Sequence, residues 1–193
     1  MFPVNVPNVL TVLRILLVPV LVVALLDATP SGDTLAAIVF AVASLTDLLD
    51  GYLARTRNAI TTFGKLMDPI ADKLLVVAAL VALVSLGRLA AWVAMVVIAR
   101  EFAVTAMRMA AGAQGVVIAA SLFGKAKTVL QIAMVLALIA AGDARPLWLD
   151  LLVDATVVVT VVSGVDYFLG LRRRLVGRER EAESDRAPLD GAA

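Results

Sequence analysis

The chain has 193 residues, 62% of them apolar, with a formal net charge of +1 and a mean hydropathy of +0.98. An ordinary soluble domain is nearer about 45–50% apolar, and a chain this short has too little interior to hide the surplus from water, so a soluble globular or disordered protein is excluded. Cysteine and histidine are absent, which removes disulfide scaffolds, zinc fingers, iron–sulfur clusters, thiol nucleophiles and histidine triads, and aromatics at 5% do not suit an aromatic-girdled outer-membrane barrel.

A helix crosses the bilayer core with about 20 apolar residues. In chain order the apolar runs are Val9–Leu26, Leu35–Ala54, Ile70–Leu86, Ala90–Ala111, Ala120–Ala141 and Leu147–Leu169. The breaks between them carry turn residues: Pro30 and Gly32, the polar Arg57–Gly64 stretch, Gly87-Arg88, Gly112–Gly115 and Gly142–Pro146. The runs are too long for strands and do not alternate. The first run has no basic segment before it and no good cleavage site after it, so it is expected to be a span and not a leader. The expected fold is all-α: a polytopic integral membrane protein with six transmembrane helices over residues 1–171. Residues 172–193 alternate in charge and are expected to form a solvated, disordered cytoplasmic tail whose first arginines meet anionic headgroups. Trp92, Trp148, Met107 and Met109 read as packing or interface anchors.

Orientation follows from the basic residues. An even number of spans puts both termini on one side, with the second-to-third and fourth-to-fifth connections. That side collects Arg55, Arg57, Lys65, Arg108, Lys125, Lys127 and Arg172–Arg174, against Arg88 and Arg145 on the other. Both termini are therefore expected in the cytoplasm.

Carboxylates inside spans are costly unless paired, wetted or metal-bound. Asp47 and Asp50 stand late in the second span, and Asp68 and Asp72 open the third. On helices the first pair is i, i+3 and the second i, i+4, so each pair shares a face. Gly51 and Ala54 fall on the first face and Gly64 lies a turn before Asp68, leaving room for something bulky against the backbone. A short connection lets the two faces meet. Four carboxylates on two helices suit one or two hard divalent cations, Mg²⁺ or Mn²⁺, shared with phosphate oxygens. The bland alternative is a structural network balanced by Arg55, Lys65 and Lys73.

Written out, these residues are Asp47-x-x-Asp50-Gly51-x-x-Ala54-Arg55, eight residues, then Gly64-x-x-x-Asp68-x-x-x-Asp72. The pattern resembles the complete signature of the CDP-alcohol phosphatidyltransferases, and the six-span layout resembles that family over nearly the whole chain. Pro7-Asn8-Val9-Leu10-Thr11-Val12-Leu13-Arg14, Ala99-Arg100-Glu101 with Arg108, and Gly124-Lys125-Ala126-Lys127-Thr128 with Gln131 resemble its bacterial phosphatidylglycerophosphate synthase branch. Leu48-Leu49 depart from the aromatics that many such synthases carry there, which bears on the acceptor and not on the metal site.

The resemblance implies displacement of CMP from CDP-diacylglycerol by an alcohol, in this branch sn-glycerol 3-phosphate. It implies that Asp47, Asp50, Asp68 and Asp72 hold metal, with two ions bridging the diphosphate, and that Asp72 is also the general base. Gly51 and Ala54 would admit the cytidine, beside Gly64, while Arg55 and Thr61 would contact phosphate or ribose. Asn8, Thr11 and Arg14 form a further polar strip toward the nucleotide; helix capping accounts equally for Asn8 and Thr11. Arg100, Arg108, Lys125 and Lys127 are the candidates for the acceptor phosphate, with Glu101 orienting an arginine; the positive-inside bias alone would also explain the two lysines. A homodimer in a bacterial inner membrane, with the active site on the cytoplasmic side, is implied as well.

Three other readings remain open at this point. One is the same chemistry with inositol phosphate, serine or phosphatidylglycerol as acceptor, the last giving cardiolipin. Another is a divalent-cation transporter, and the third is a purely structural membrane protein. A basic-aromatic surface for nucleic acid is missing.

Overall fold

The structure is a computed structural model, which describes the backbone over residues 6–57, 62–113 and 122–186 and side chains over 9–46, 73–113 and 123–174. Among the described residues six helices follow one another: α1 (Val6–Leu26), α2 (Pro30–Arg57), α3 (Thr62–Ser85), α4 (Ala91–Ala113), α5 (Leu122–Ala141) and α6 (Leu147–Arg186). The described residues contain no strand. The chain is an all-helical membrane protein. Val9–Leu26, Phe123–Ala141 and Leu147–Arg174 are each long and apolar enough to cross a bilayer. Pro30–Thr46 and Lys73–Ser85 are shorter apolar stretches within α2 and α3, and α4 carries Arg100, Glu101 and Arg108 along its length.

The helices exceed several of the expected spans. α2 begins at Pro30, not Leu35, because Thr29 caps it: the Thr29 hydroxyl accepts from the Gly32 amide at 3.0 Å, and Pro30 takes the first helical position, where no N–H is needed. Gly32 is required here, since a Cβ would lie 2.4 Å from the Ala24 carbonyl oxygen at the end of α1. α3 begins at Thr62, not Ile70, and α6 runs past Leu169 through Arg172–Arg174 to Arg186. α1 begins at Val6, so Asn8 and Thr11 stand inside the helix and not at its cap.

Two glycines close turns that other residues would strain. Gly87 (φ 70°) ends α3, where the Gly87 amide donates to Val84 and the Arg88 amide to Leu83, at 3.0 and 2.9 Å. Gly142 (φ 58°) ends α5 in the same left-handed conformation.

Arg88 ties these turns together. It is 6% exposed and donates to Asp33 of α2 at 2.6 Å and to Asp143 of the α5–α6 turn at 3.1 Å. Arg145 donates to the Gly87 carbonyl at 2.7 Å. The Asp33 bond holds the Arg88 guanidinium above its ordinary pKa, against the opposing effect of burial. The three odd-numbered connections thus meet at one end of the bundle, which makes it antiparallel throughout. The N-terminal ends of α1, α3 and α5 and the C-terminal ends of α2, α4 and α6 lie toward the other end.

Between the ends lies one apolar core, with Leu21, Leu25, Phe40, Leu80, Leu83, Val97, Met134 and Ile139 almost fully buried. α1 packs on α2 and α3, α5 on α2, α3 and α6, and α4 on α3 and α6. Trp92, Met109 and Trp148 are exposed, as interface anchors would be, along with a broad outer surface of Val, Leu and Phe side chains that suits lipid.

Candidate active site

The bundle interior changes character away from the Arg88 end. Thr11 and Arg14 of α1, Ser44 of α2, Lys127 and Gln131 of α5 and Ser163 of α6 are all buried. Of these, Arg14, Ser44, Lys127 and Gln131 line a cavity of about 70 Å³, together with Lys73, Glu101 and Thr128, over an apolar floor of Leu80 and Val97. Polar side chains this deep in a membrane bundle are expected to face one another or a ligand and not the lipid.

Charge is organised there by Glu101. Its carboxylate accepts from the Lys127 ammonium and, at 3.3 Å, from the Arg100 guanidinium. Arg100 also donates to the Ser163 hydroxyl at 2.8 Å, which in turn donates to the Thr160 carbonyl at 3.0 Å. Gly164 leaves room for this crossing, since a Cβ there would stand 3.3 Å from the Arg100 Cγ, a tight contact. One carboxylate thus faces two cations, leaving the cluster with an excess of positive charge suited to an anion. Glu101 orients an arginine, as expected, and a lysine as well. Its backbone carbonyl takes the Thr105 hydroxyl at 2.8 Å.

The expected acceptor-phosphate residues separate into two groups. Lys127 lines the cavity and Arg100 is bonded to its rim through Glu101. Lys125 and Arg108 are exposed and do not line it. Arg108 stacks over the Tyr167 ring at 5.7 Å. Of the expected nucleotide strip, Thr11 and Arg14 are buried at 3% exposure each, and Arg14 reaches the cavity. Lys73, read in the sequence only as a charge partner, lines the cavity too.

Thr61 lies outside the described residues, as do the side chains of Asn8, Asp47, Asp50, Gly51, Ala54, Arg55, Gly64, Asp68 and Asp72. Their positions in the chain are nevertheless informative. α2 is helical through Asp47 and Asp50 and α3 through Asp68 and Asp72, so the i, i+3 and i, i+4 spacings hold as helix registers. Ser44 and Lys73 line the cavity, while Asp47 is one turn beyond Ser44 and Asp72 immediately precedes Lys73. An all-oxygen donor set of four carboxylates on two helices fits hard divalent cations.

Sequence reasoning missed Ser163, Gly164 and Tyr167 in α6. The only signal was a small polar pair inside a long apolar run, which does not by itself name a partner.

Comparison with known proteins bears on the whole chain. Residues 4–165 match the CDP-alcohol phosphatidyltransferase family. A Bacillus subtilis protein named CDP-diacylglycerol–glycerol-3-phosphate 3-phosphatidyltransferase is 42% identical over 180 residues, covering 85% of this chain and 93% of the relative. A Rickettsia bellii protein of the same name is 33% identical over 174 residues, covering 88% and 96%. A Haemophilus influenzae protein of that name is 40% identical over 132 residues, covering 66% and 71%.

Proposed function

Because this chain belongs to the CDP-alcohol phosphatidyltransferase family, we propose that it transfers the phosphatidyl group of CDP-diacylglycerol to sn-glycerol 3-phosphate, giving phosphatidylglycerophosphate and CMP. The observation that carries the reading within the molecule is a buried, cation-rich cavity next to the aspartate positions of α2 and α3. A transferase of this kind needs two sites that touch: one for a diphosphate and one for an anionic alcohol.

Members of the family are generally metal-dependent. Asp47, Asp50, Asp68 and Asp72 would hold Mg²⁺ or Mn²⁺, two ions by the family resemblance, and such ions supply neutralisation of the diphosphate and its leaving group. The protein's own residues do the rest. Asp72 takes the proton from the primary hydroxyl of glycerol 3-phosphate as its oxygen attacks the phosphatidyl phosphorus. The new P–O bond forms as the bond to the CMP oxygen breaks, so no covalent enzyme intermediate is needed. Lys127, with Arg100 held by Glu101 and Ser163, attracts the acceptor phosphate, and Arg108 and Lys125 supply further positive charge at the end of the bundle opposite Arg88. Arg14, with Asn8, Thr11, Gly51, Ala54, Arg55, Thr61 and Gly64, belongs to the CDP-lipid side.

The excess of basic residues at the end of the bundle opposite Arg88 supports a cytoplasmic position for that end and for both termini. A bacterial inner membrane and a homodimer complete the reading, and both rest on the family resemblance.

The deciding assay is CMP release from CDP-diacylglycerol vesicles by the purified protein with Mg²⁺ or Mn²⁺. The expected result is release with glycerol 3-phosphate and none with inositol phosphate, serine or phosphatidylglycerol. Release driven by one of those three in its place would reassign the acceptor.

A further inference from the structure

One buried group has no task in this scheme. Gln131 is 4% exposed and lines the cavity beside Lys127 and Glu101. It follows Lys127 by four residues on α5, so the two side chains share a helix face. Its amide oxygen is buried and accepts no hydrogen bond from the described residues. A buried carbonyl oxygen without a donor is destabilising, and native interiors seldom keep one without a purpose.

The chemistry of that oxygen narrows what it can meet. It is an acceptor only, so it repels phosphate and cannot replace Lys127 or Arg100. It needs a neutral or cationic donor. The cavity, at about 70 Å³, has room for a short polyol. Glycerol 3-phosphate has three polar parts: a phosphate that calls for cations, a primary hydroxyl that attacks, and a secondary hydroxyl that does neither. The third is a neutral donor of the right size.

We infer that Gln131 is a specificity-determining residue whose amide oxygen accepts a hydrogen bond from the secondary hydroxyl of the acceptor. The inference rests on the proposed reaction and extends it, since it explains how an alcohol phosphate bearing a neighbouring hydroxyl is told from one without. A site built to pair with a hydroxyl rejects the analogue that lacks it, because its own polar group is then left unpaired.

The test compares glycerol 3-phosphate with 3-hydroxypropyl phosphate, which keeps the phosphate and the primary hydroxyl and lacks the secondary one. CMP release from CDP-diacylglycerol vesicles gives kcat/KM for each. The parent should prefer glycerol 3-phosphate by about 10-fold or more, the scale of one hydrogen bond in a buried site. Gln131→Leu should bring the two acceptors within about twofold, through loss on glycerol 3-phosphate. Gln131→Met, which keeps the length and flexibility of the side chain, should show the same collapse if the leucine variant does not fold. Equal use of both acceptors by the parent, or a parent-like preference in either variant, would overturn the role of Gln131 and leave the reaction standing. No CMP with either acceptor in the parent would overturn the reaction and this inference with it.

Discussion

Asp72→Asn is expected to lower kcat by about 10³-fold, within the range that a positioned general base contributes. An amide has almost no basicity at neutral pH, so the attacking hydroxyl would keep its proton. The substitution keeps the size of the side chain and one oxygen. Asp47, Asp50 and Asp68 remain on α2 and α3 for the proposed cation site. CDP-diacylglycerol should therefore still bind, within a few-fold of the parent, while turnover disappears. Single-turnover CMP release and equilibrium binding of the CDP-lipid, measured on the same preparation, separate the two effects. Undiminished turnover would remove Asp72 from the role of base. Loss of binding together with turnover would assign it to metal holding alone.

Lys127→Met should act on the other substrate. Lys127 is 4% exposed, lines the cavity and is paired with Glu101. A hydrogen bond to a charged group contributes about 1.5–3 kcal/mol, so losing the contact to the acceptor phosphate should raise the KM for glycerol 3-phosphate by about 10- to 100-fold. The KM for CDP-diacylglycerol should move by less than about twofold, because only interactions with the acceptor are removed. Removing one partner of a buried pair also strands the other, which is destabilising in its own right. The double variant Lys127→Met/Glu101→Gln controls for this by neutralising both partners. If Lys127 serves only to balance Glu101, the double variant recovers the parent KM. If Lys127 binds the acceptor, the defect persists. A parallel rise in both KM values would place Lys127 outside the acceptor pocket.

These two residues also mark what could be read from the sequence and what could not. The aspartate spacing was legible because it is local: positions three and four apart on a helix share a face whatever the rest of the chain does. The helix count was legible for the same reason, as uninterrupted apolar runs bounded by Gly and Pro. Helix ends were less so. Hydropathy marks where lipid lies and not where backbone hydrogen bonding stops, so α2 reaches back to Pro30 through the Thr29 cap and α6 continues into the arginines. Long-range pairings were illegible. Nothing in the sequence joins Arg88 to Asp33 and Asp143, each 55 residues away. The sequence did suggest Glu101 as a partner for an arginine, because the two are adjacent, yet its bond to Lys127 spans 26 residues and needed the fold. Among the acceptor candidates nothing in the sequence separated Lys125 from Lys127, whereas the structure buries Lys127 and leaves Lys125, two residues earlier, exposed.

In the proposed mechanism α2 and α3 contribute jointly to one divalent-cation centre. Equilibrium Mn²⁺ binding to the purified protein in CDP-diacylglycerol vesicles tests it, in the parent and in variants altered on one helix at a time, Asp47→Asn on α2 and Asp68→Asn on α3. The expected result is saturable Mn²⁺ binding by the parent and a loss of at least about 10-fold in affinity from either substitution alone, since a shared site loses an oxygen ligand in both cases. Mn²⁺ affinity unchanged by a substitution on one of the two helices, or a parent that takes up no Mn²⁺, would contradict it.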